Sequence, residues 1–304
     1  MGGSVTVIGG ANTDILAFSE NTIVPRDSNP GHVRTSPGGV GRNIAENLAR
    51  LGVETRFVTA PGEGPEADEI VRSCTDSGIQ LLAVPSPGLP APRYLAIMDD
   101  LGDLALAVND MRALDAVTPE SVEVYADLID ESSVIVLDTN VPEATLVYVA
   151  ERWSDRPIML DTVSVAKGPR ARSILGALHT LKANEIEAAE LAGTIAGATD
   201  AAVDALLIAG VDRLVVTGGI AGALFASGES RFRFVPPPAT VVNATGAGDA
   251  YMAGLVYAEL EGLDSAHVPA FASAMAALTL GSERTVSEDI NVNRVLELME
   301  GMLS

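Results

Sequence analysis

Cysteine is nearly absent from this sequence of 304 residues. Cys74 is the only one, so no disulfide bond can form within the chain, and nothing indicates an oxidising compartment. We expect Cys74 to fill space in the core. The chain starts directly with the strand-like segment 5–8 and has no basic and apolar segment typical of a secretory signal, which favours a cytoplasmic location.

Long apolar runs and basic residues are also scarce. Apolar residues make up 47% of the chain, yet no stretch approaches the roughly 20 continuous apolar residues that cross a bilayer. Lys and Arg total 19 against 41 Asp and Glu, a formal net charge of −22. Nucleic acids and membrane surfaces are anionic and would repel this protein. We therefore expect a small-molecule partner, with no nucleic acid and no membrane.

Lysine is the scarcest of the charged residues. Only Lys167 and Lys182 occur, and a bias of this kind can follow from genome composition. We infer no mechanism from it.

Short apolar segments alternate with helical patterns along most of the chain. This alternation predicts βαβ units around a large, mainly parallel sheet. In the helix near 39–51, Ile44, Leu48 and Leu51 form a packed face, whereas Glu46 and Arg50 form an i,i+4 pair that we expect on a solvated face. The other predicted strands are 5–8, 56–59, 134–137, 158–160, 179–181, 214–217 and 223–226, and the other predicted helices are 65–77, 246–261, 265–281 and 292–302.

Two segments, 15–36 and 91–111, interrupt the alternation. Both carry strand-like residues together with turn formers, so we expect them to pair in a small separate sheet. The remainder, 1–14, 37–90 and 112–304, then forms one α/β core.

The strongest chemical pattern is Asn-Ala-Thr-Gly-Ala-Gly-Asp at 243–249, which opens an apolar helix. Glycines at a helix start leave backbone N–H groups free, and with the helix dipole these donors can hold a phosphoryl group during transfer. Asp249 in the same first turn can accept the proton of an attacking hydroxyl. The alternative is an ordinary glycine-rich turn with an acid that complements the dipole.

Two further polar elements lie near the start of the chain, one leading into the helix near 39–51 and one at the end of the first strand. Pro-Gly-Gly-Val-Gly-Arg-Asn at 37–43 lets backbone approach a ligand, and Asn43 can donate to and accept from sugar hydroxyls; a tight turn with a helix cap is the alternative. Asn12 and Asp14 follow the first strand, where ligands of open α/β sheets collect, with an Asx turn as the alternative. The glycines at 9–10 do not complete a dinucleotide-binding pattern.

Two later elements are candidates for nucleotide binding. Asn184 and Glu187 have the spacing of a helix capping box, and they could also organise Mg²⁺ and phosphate through water. Residues 217–222 are either a hairpin turn or a loop beneath nucleotide phosphates. The sequence contains no P-loop pattern, and His32, His179 and His267 lack the spacing of a metal site.

Taken together, and in their order along the chain, these elements resemble the ribokinase, or PfkB, family of carbohydrate and nucleoside kinases. The family's signatures correspond to 38–43, to Asn184 and Glu187, to 217–222 and to 245–249, and the similarity covers nearly the whole chain. The resemblance implies a ribokinase-like α/β fold, a three-layer α/β/α core with a mainly parallel sheet. It also implies that 15–36 and 91–111 form a β lid over the sugar, which often makes the contact of a homodimer.

The resemblance also assigns roles to residues. Asp249 would be the catalytic base, and Gly246, Ala247 and Gly248 would form the anion hole. The candidate sugar-binding residues are Asn12, Asp14, Gly38, Gly39, Asn43 and Asn140, and the candidates for ATP binding are Lys182, Asn184, Thr217, Gly219, Gly222 and Thr245, with Glu187 for Mg²⁺. Where the family commonly has an acid that helps to bind a monovalent cation, this chain has Asn243, which leaves a dependence on potassium open.

Within the family, the segments 27–31, 37–45 and 107–111 are similar to those of pseudouridine kinases. Two of the three lie in the expected lid, where a base attached to the sugar would be recognised. Hydrogen-bonding groups of Asp27, Ser28, Asn29, Asn109 and Asp110 could read that base. The alternative is a solvated loop.

The resemblance therefore implies ATP-dependent phosphorylation of the 5′ hydroxyl of pseudouridine. Two alternatives stay open. One is another kinase of the family, acting on ribose, uridine, adenosine or inosine. The other is a catalytically silent sugar-binding regulator on the same fold, against which the intact segment 246–249 counts.

Overall fold

The structure is a computed structural model that describes residues 3–303. Its strands are β1 (Ser4–Ile8), β2 (Asn12–Ser19), β3 (Gly31–Gly38), β4 (Glu54–Thr59), β5 (Gln80–Ala83), β6 (Arg93–Met98), β7 (Leu104–Asp110), β8 (Val134–Asp138), β9 (Ile158–Asp161), β10 (Thr180–Asn184), β11 (Arg213–Thr217), β12 (Ala223–Ser227) and β13 (Ser230–Phe234). Its α-helices are α1 (Val40–Arg50), α2 (Pro65–Asp76), α3 (Pro119–Glu123), α4 (Ala126–Ile129), α5 (Glu143–Arg152), α6 (Glu185–Ala192), α7 (Thr199–Ile208), α8 (Ala247–Glu261), α9 (His267–Leu280) and α10 (Val292–Leu303).

A nine-stranded sheet forms the centre of the molecule, in the order β13-β12-β11-β10-β9-β8-β1-β4-β5. The pairs from β11 to β5 are parallel, whereas β12 and β13 are added as antiparallel strands at one edge. The central strands are apolar throughout, as in β8, because both faces of a parallel sheet are covered by helices. The predicted strands of the core are confirmed.

Successive residues of each central strand pack into two separate cores. In β1, Val5 and Val7 belong to the core beneath α1, α2, α8, α9 and α10, whereas Ile8 belongs to the core beneath α3 to α7. This division follows from the two-residue period of a strand, which points neighbouring side chains to opposite faces. The predicted three-layer α/β/α architecture is thus confirmed, and Cys74 is buried in one of the cores as expected.

Helix α1 differs from its prediction, because its second face is not solvated. Glu46 is only 5% exposed, and it forms ion pairs with both Arg42 and Arg50. The helix packs on the large sheet and also against α8, so little of its surface meets water. The i,i+4 pattern identified the contact correctly, but it could not show that Glu46 is buried.

The segments that interrupt the alternation form the expected second sheet, in the order β3-β2-β6-β7. Its strands β2 and β6 are parallel and its other pairs antiparallel. Its first two strands, β2 and β3, extend from Asn12 to Gly38, beyond the predicted bounds 15–36. Asn12 and Asp14 therefore lie in β2 itself. That this sheet moves as a lid relative to the core stays a prediction.

One face of the small sheet is apolar and exposed. The registers place Val33, Ile15, Leu95 and Val108 on the face opposite Asp14, and Leu104 and Leu106 of β7 extend the patch, with more than half of each side chain exposed. A contiguous apolar face of this kind is unusual on a monomer. Within residues 3–303, no helix is long and apolar enough to cross a bilayer.

Candidate active site

The polar residues singled out in the sequence meet at the carboxyl edge of the large sheet. Strands β8 and β9 end at Asp138 and Asp161, and Lys182 lies in the neighbouring β10. All three residues are buried. Because parallel strands end at the same edge, consecutive βα connections deliver side chains to one place.

Helix α8 presents its N-terminus to this edge. Gly246 has φ 84°, and a Cβ there would lie 2.0 Å from the Thr285 carbonyl oxygen, so only glycine allows this entry to the helix. The first N–H groups of a helix have no intrahelical acceptor, and no other described residue accepts from the N–H groups of Ala247, Gly248 and Asp249. A Cβ on Gly248 would lie 2.9 Å from Lys182 Nζ, which shows how close this cation lies to the helix start.

Asp249 points from the first turn of α8 into the site. Its Oδ2 accepts a hydrogen bond from Asn43 Nδ2 at 2.8 Å. Burial, with repulsion from Asp161, raises the pKa of Asp249 to about 7, although the Asn43 hydrogen bond and Lys182 act to lower it. A carboxylate whose pKa lies near neutrality is suited to accept a proton from a substrate hydroxyl.

Lys182 supplies the positive charge next to this carboxylate. Its Nζ donates to Asp161 Oδ2 at 2.8 Å. Burial acts to lower the pKa of Lys182, but attraction to Asp161, with smaller contributions from Asp249 and Glu187, leaves it above its ordinary value. Lys182 therefore remains charged inside the site.

The candidate sugar-binding residues lie together at the junction of the two sheets. Asn12 Nδ2 donates to Asp14 Oδ1 at 2.6 Å, and a Cβ on Gly38 would lie 2.1 Å from Asp14 Oδ2. Gly39 has φ 100°, and a Cβ there would lie 2.6 Å from the Gly10 carbonyl oxygen. The Asx-turn alternative for Asn12 is wrong, because Asn12 already belongs to β2. Burial raises the pKa of Asp14, against the Asn12 hydrogen bond and the charge of Arg42.

Three polar residues extend this part of the site, and only Asn140 was predicted. Lys167 Nζ donates to Asn140 Oδ1, while Asp138 accepts hydrogen bonds from Gly10 N and Asn140 N, both at 2.8 Å. Burial raises the pKa of Asp138 and lowers that of Lys167.

Two signals in the sequence could have found these residues. Both lysines of the chain lie in the site, in a protein that otherwise uses arginine, and two apolar strands, β8 and β9, end in aspartate.

The candidate nucleotide-binding elements lie side by side. Asn184 and Thr217 are paired at the ends of β10 and β11, and Gly219 and Gly222 lie in the loop from β11 to β12, around the 3₁₀ turn Gly219–Ala221. The capping box is present, since Asn184 Oδ1 accepts from the N–H of Glu187 at 2.9 Å and Glu187 Oε2 accepts from that of Asn184 at 3.0 Å.

The Glu187 carboxylate has a second hydrogen-bond partner, and only one of its two oxygens is engaged by described residues. Thr162 Oγ1 also donates to Glu187 Oε2, at 2.7 Å. Both hydrogen bonds thus go to Oε2, and no described residue hydrogen-bonds Oε1. The carboxylate can therefore hold the helix start and still accept from a water.

Asn243 and Thr245 close the loop that precedes α8. Asn243 Oδ1 accepts from Thr245 N at 2.9 Å, and Asn243 Nδ2 donates to the Glu283 carbonyl oxygen at 3.2 Å. Both ends of the amide are thereby occupied, and Thr245 is exposed.

The candidate base-reading residues are spread over the small sheet. Asn109 lies in one row with Asp14 and Tyr94, hence on the face that bears Asp14. Asp110 lies on the other face, where hydrogen bonds from Arg112 lower its pKa to about 2.

The loop between β2 and β3 carries the other three candidates, Asp27, Ser28 and Asn29, and Asp27 is exposed. Asn29 bonds the backbone of Val24, and both Ser28 and Asn29 are exposed. The structure does not bring Ser28, Asn29 or Asp110 into contact with the rest of the site.

Comparison with known proteins decides the family. The profile of the pfkB family carbohydrate kinases matches residues 3–291. This chain belongs to the pfkB family of carbohydrate kinases. The family predicted from the sequence is thereby confirmed, and with it an ATP-dependent kinase of a sugar or nucleoside.

Individual pfkB-family relatives cover the whole chain. It is 35% identical to the pseudouridine kinase of Escherichia coli over 302 residues, 97% of this chain and 96% of that one. A carbohydrate kinase from Agrobacterium tumefaciens superimposes with a TM-score of 0.86 at 30% identity, covering 99% and 97% of the two chains. The ribokinase of Arabidopsis thaliana, solved with ribose and ATP, superimposes with a TM-score of 0.82 at 22% identity over 99% of each chain, which shows a ribokinase-like fold.

The raised pKa of Asp249 predicts a cost to stability that does not depend on any substrate. The native state holds this proton up to about pH 7 and the unfolded chain only to the ordinary value of 3.8. The contribution of the protonated Asp249 carboxyl to the free energy of unfolding is thus fully present below about pH 4, and it is lost as the pH rises through 7. We expect Asp249→Asn, which cannot ionise, to raise the free energy of unfolding at pH 8 by up to about 4 kcal/mol, with little effect at pH 4.

Denaturant unfolding at both pH values measures this difference. The matched control is Asp200→Asn, which removes an exposed first-turn carboxylate from α7 and should give no gain at pH 8, because it only weakens an interaction with the helix dipole. An Asp249→Asn protein no more stable than the wild type at pH 8 would show that the carboxylate is not destabilised in the fold.

Proposed function

We propose that this pfkB-family kinase transfers the γ-phosphoryl group of ATP to the 5′ hydroxyl of pseudouridine, giving pseudouridine 5′-phosphate and ADP. The observation that carries the chemistry is the position of Asp249. Its carboxylate, with a pKa of about 7, lies in the same helical turn as N–H groups for which residues 3–303 provide no acceptor. A proton acceptor and an anion-binding site are thereby held side by side.

The proposed reaction uses both features at once. The 5′ oxygen attacks the γ phosphorus while its proton passes to a carboxylate oxygen of Asp249, and the bond from the γ phosphorus to the bridging oxygen of ADP breaks. The N–H groups of Ala247, Gly248 and Asp249 hold the charge on the transferring group, because they are already oriented before the reaction. Lys182, close to Gly248, adds a positive charge on the same side.

The residues present fit a magnesium ion bound through water. Among the described residues, no three His, Cys, Asp or Glu side chains group in a direct metal site, but Glu187 keeps Oε1 available beside the candidate nucleotide loop. Mg²⁺ prefers oxygen ligands and usually keeps several waters. When bound, the metal would neutralise charge on the nucleotide phosphates, and Glu187 would orient its waters. Potassium has no part in this proposal, since the Asn243 amide is engaged in closing its own loop.

Pseudouridine as substrate is supported by the 35% identity to the E. coli pseudouridine kinase along both chains, and by the row of polar side chains on the small sheet. Asp14 and Asn109 share one face, so a ribose held at Asp14 would place its base near that face. Pseudouridine carries a ring N–H where uridine has a C–H, and an acceptor such as Asn109 could recognise it.

A second copy of this chain is the proposed partner of the exposed apolar face. The face that bears Val33, Leu106 and Val108 lies opposite the site, so pairing two copies through it would bury apolar surface without blocking the substrate. A cytoplasmic location stays a prediction from the sequence.

We expect Asp249→Asn to lower kcat by roughly 10²–10⁴ with little change in KM, because the variant keeps the shape of the site and loses the proton acceptor. Steady-state ADP release measures both constants. For the wild type, kcat should fall as the pH drops below about 7, where Asp249 becomes protonated. Turnover near the wild-type value in the variant would refute the assignment of the base.

Substrate choice is tested by kcat/KM for pseudouridine, uridine and ribose under one condition. An acceptor left unpaired in a closed site costs about 1–3 kcal/mol, so we expect pseudouridine to be preferred over uridine by roughly 10- to 100-fold. Ribose should be poorer still, because it lacks a base. Equal values for the two nucleosides would refute pseudouridine as the specific substrate and leave another nucleoside kinase, while no ADP with any substrate would favour a silent sugar-binding regulator.

The dimer is tested with Leu106→Lys, which places a charge on the apolar face, in the edge strand β7. We expect the wild type to sediment as a dimer and the variant as a monomer, since burying an unpaired charge is costly. Val124→Lys, at an apolar position outside the small sheet that is even more exposed than Leu106, is the matched control and should remain a dimer. A monomeric wild type, or a dimeric Leu106→Lys, would contradict the proposal.

A further inference from the structure

Arg42 lies in the first turn of α1 and is only 6% exposed. Its guanidinium bonds four groups that lie on three elements, α1, α2 and β3. It donates to Ser73 Oγ on α2 at 2.8 Å, to the Pro37 carbonyl oxygen in β3 at 3.2 Å, to Asn43 Oδ1 at 2.9 Å, and to Glu46 Oε2. Arginine suits this place because its planar group offers five fixed donors.

The contact with Asn43 has a chemical consequence. A side-chain amide has one end that only accepts and one that only donates, and a guanidinium can only donate. Arg42 therefore selects the Oδ1 end of Asn43, which leaves Nδ2 to donate to Asp249 Oδ2 at 2.8 Å. If the amide turned over, its oxygen would face the carboxylate and the Asp249 hydrogen bond would be lost.

We propose that Arg42 is a positioning residue for the base: it orients the Asn43 amide towards Asp249 and ties that amide to the end of β3. Of the residues that Arg42 bonds, Asn43 is the one that bonds Asp249. The inference rests on Asp249 acting as the base in the proposed function, but it does not depend on which sugar or nucleoside is phosphorylated.

The charges around Asp249 set the direction of the expected effect. Asp138 from β8 and Asp161 from β9 face it as like charges, Lys182 from β10 as the opposite charge, and Asn43 from α1 as a hydrogen-bond donor. Burial and Asp161 raise the pKa of Asp249, whereas the Asn43 bond lowers it. Losing the bond should therefore raise this pKa further and move the acidic limb of activity to higher pH.

The test is the pH dependence of kcat, at saturating ATP and nucleoside, for Arg42→Met and Arg50→Met. Both arginines pair with Glu46, but among the residues that the structure describes the side chain of Arg50 bonds Glu46 alone. Arg50→Met is therefore the matched control for a lost ion pair. We expect Arg42→Met to move the midpoint up by about one pH unit and to lower kcat about 10-fold near pH 6, with recovery at high pH. Arg50→Met should keep the wild-type midpoint.

Saturating substrate is needed because Arg42 also acts on Asp14. Its charge opposes the rise that burial causes in the pKa of Asp14, so Arg42→Met can also raise KM. A change in KM alone, with an unmoved kcat midpoint, would overturn the role proposed at the base.

A double-mutant cycle shows whether Arg42 acts through Asn43. In an Asn43→Ala background the Asp249 hydrogen bond is already missing, so we expect Arg42→Met to cause no further shift of the midpoint. An equal shift in both backgrounds would overturn the proposal. If Arg42→Met does not fold, Arg42→Lys keeps a positive charge beside Glu46 but cannot reproduce the fork of donors, and it should move the midpoint in the same direction.

A carboxyl-carbon NMR titration separates this inference from the proposed function. With Asp249→Asn to assign the signal, the pKa of Asp249 is read directly and needs no turnover. A higher pKa in Arg42→Met than in Arg50→Met supports the inference even if pseudouridine proves not to be the substrate. Equal values in the two variants overturn it, whatever the enzyme phosphorylates.

Discussion

The site depends on keeping a carboxylate partly buried beside other carboxylates. Asp249 lies near Asp161 and Asp138, so its charged form is disfavoured by burial and by repulsion. Lys182 and Asn43 offset part of this cost, the first by charge and the second by a hydrogen bond. The balance brings the pKa to about 7, which neither an isolated aspartate nor a fully compensated one would have.

The rest of the fold can be understood as the support of this balance. Asp138, Asp161 and Lys182 arrive on three neighbouring parallel strands, so their spacing is set by the hydrogen bonds of the sheet. Asn43 and Asp249 arrive on α1 and α8, which pack against one another over the same core. Rigid elements thus hold all five side chains, and no mobile loop has to be ordered to assemble them.

The small sheet is connected to this centre through few but specific contacts. Its strands β2 and β3 begin and end inside the site, at Asn12 and Gly38, and Arg42 bonds the Pro37 carbonyl oxygen beside them. Arg42 thereby links the end of β3 to the Asn43 amide, which in turn bonds Asp249.

The sequence by itself determined the fold class, the strands and helices of the core, and the family, because these depend on local patterns: apolar periodicity, glycines before helices, and an acid in a first turn. It also marked Asp249, Asn43, Asn12 and Asp14 as candidates, which the family resemblance assigned to one site. Asp138 and Asp161, which end apolar strands, and Lys167, one of two lysines, could have been found as candidates. The sequence could not show which side chains these residues meet, or that Arg42 and Glu46 are buried, because burial and contact depend on elements that are distant along the chain. Only the tertiary structure decided which carboxylates face one another and which amide end Asn43 turns to Asp249, because burial and mutual distance, and not residue type, set those energies.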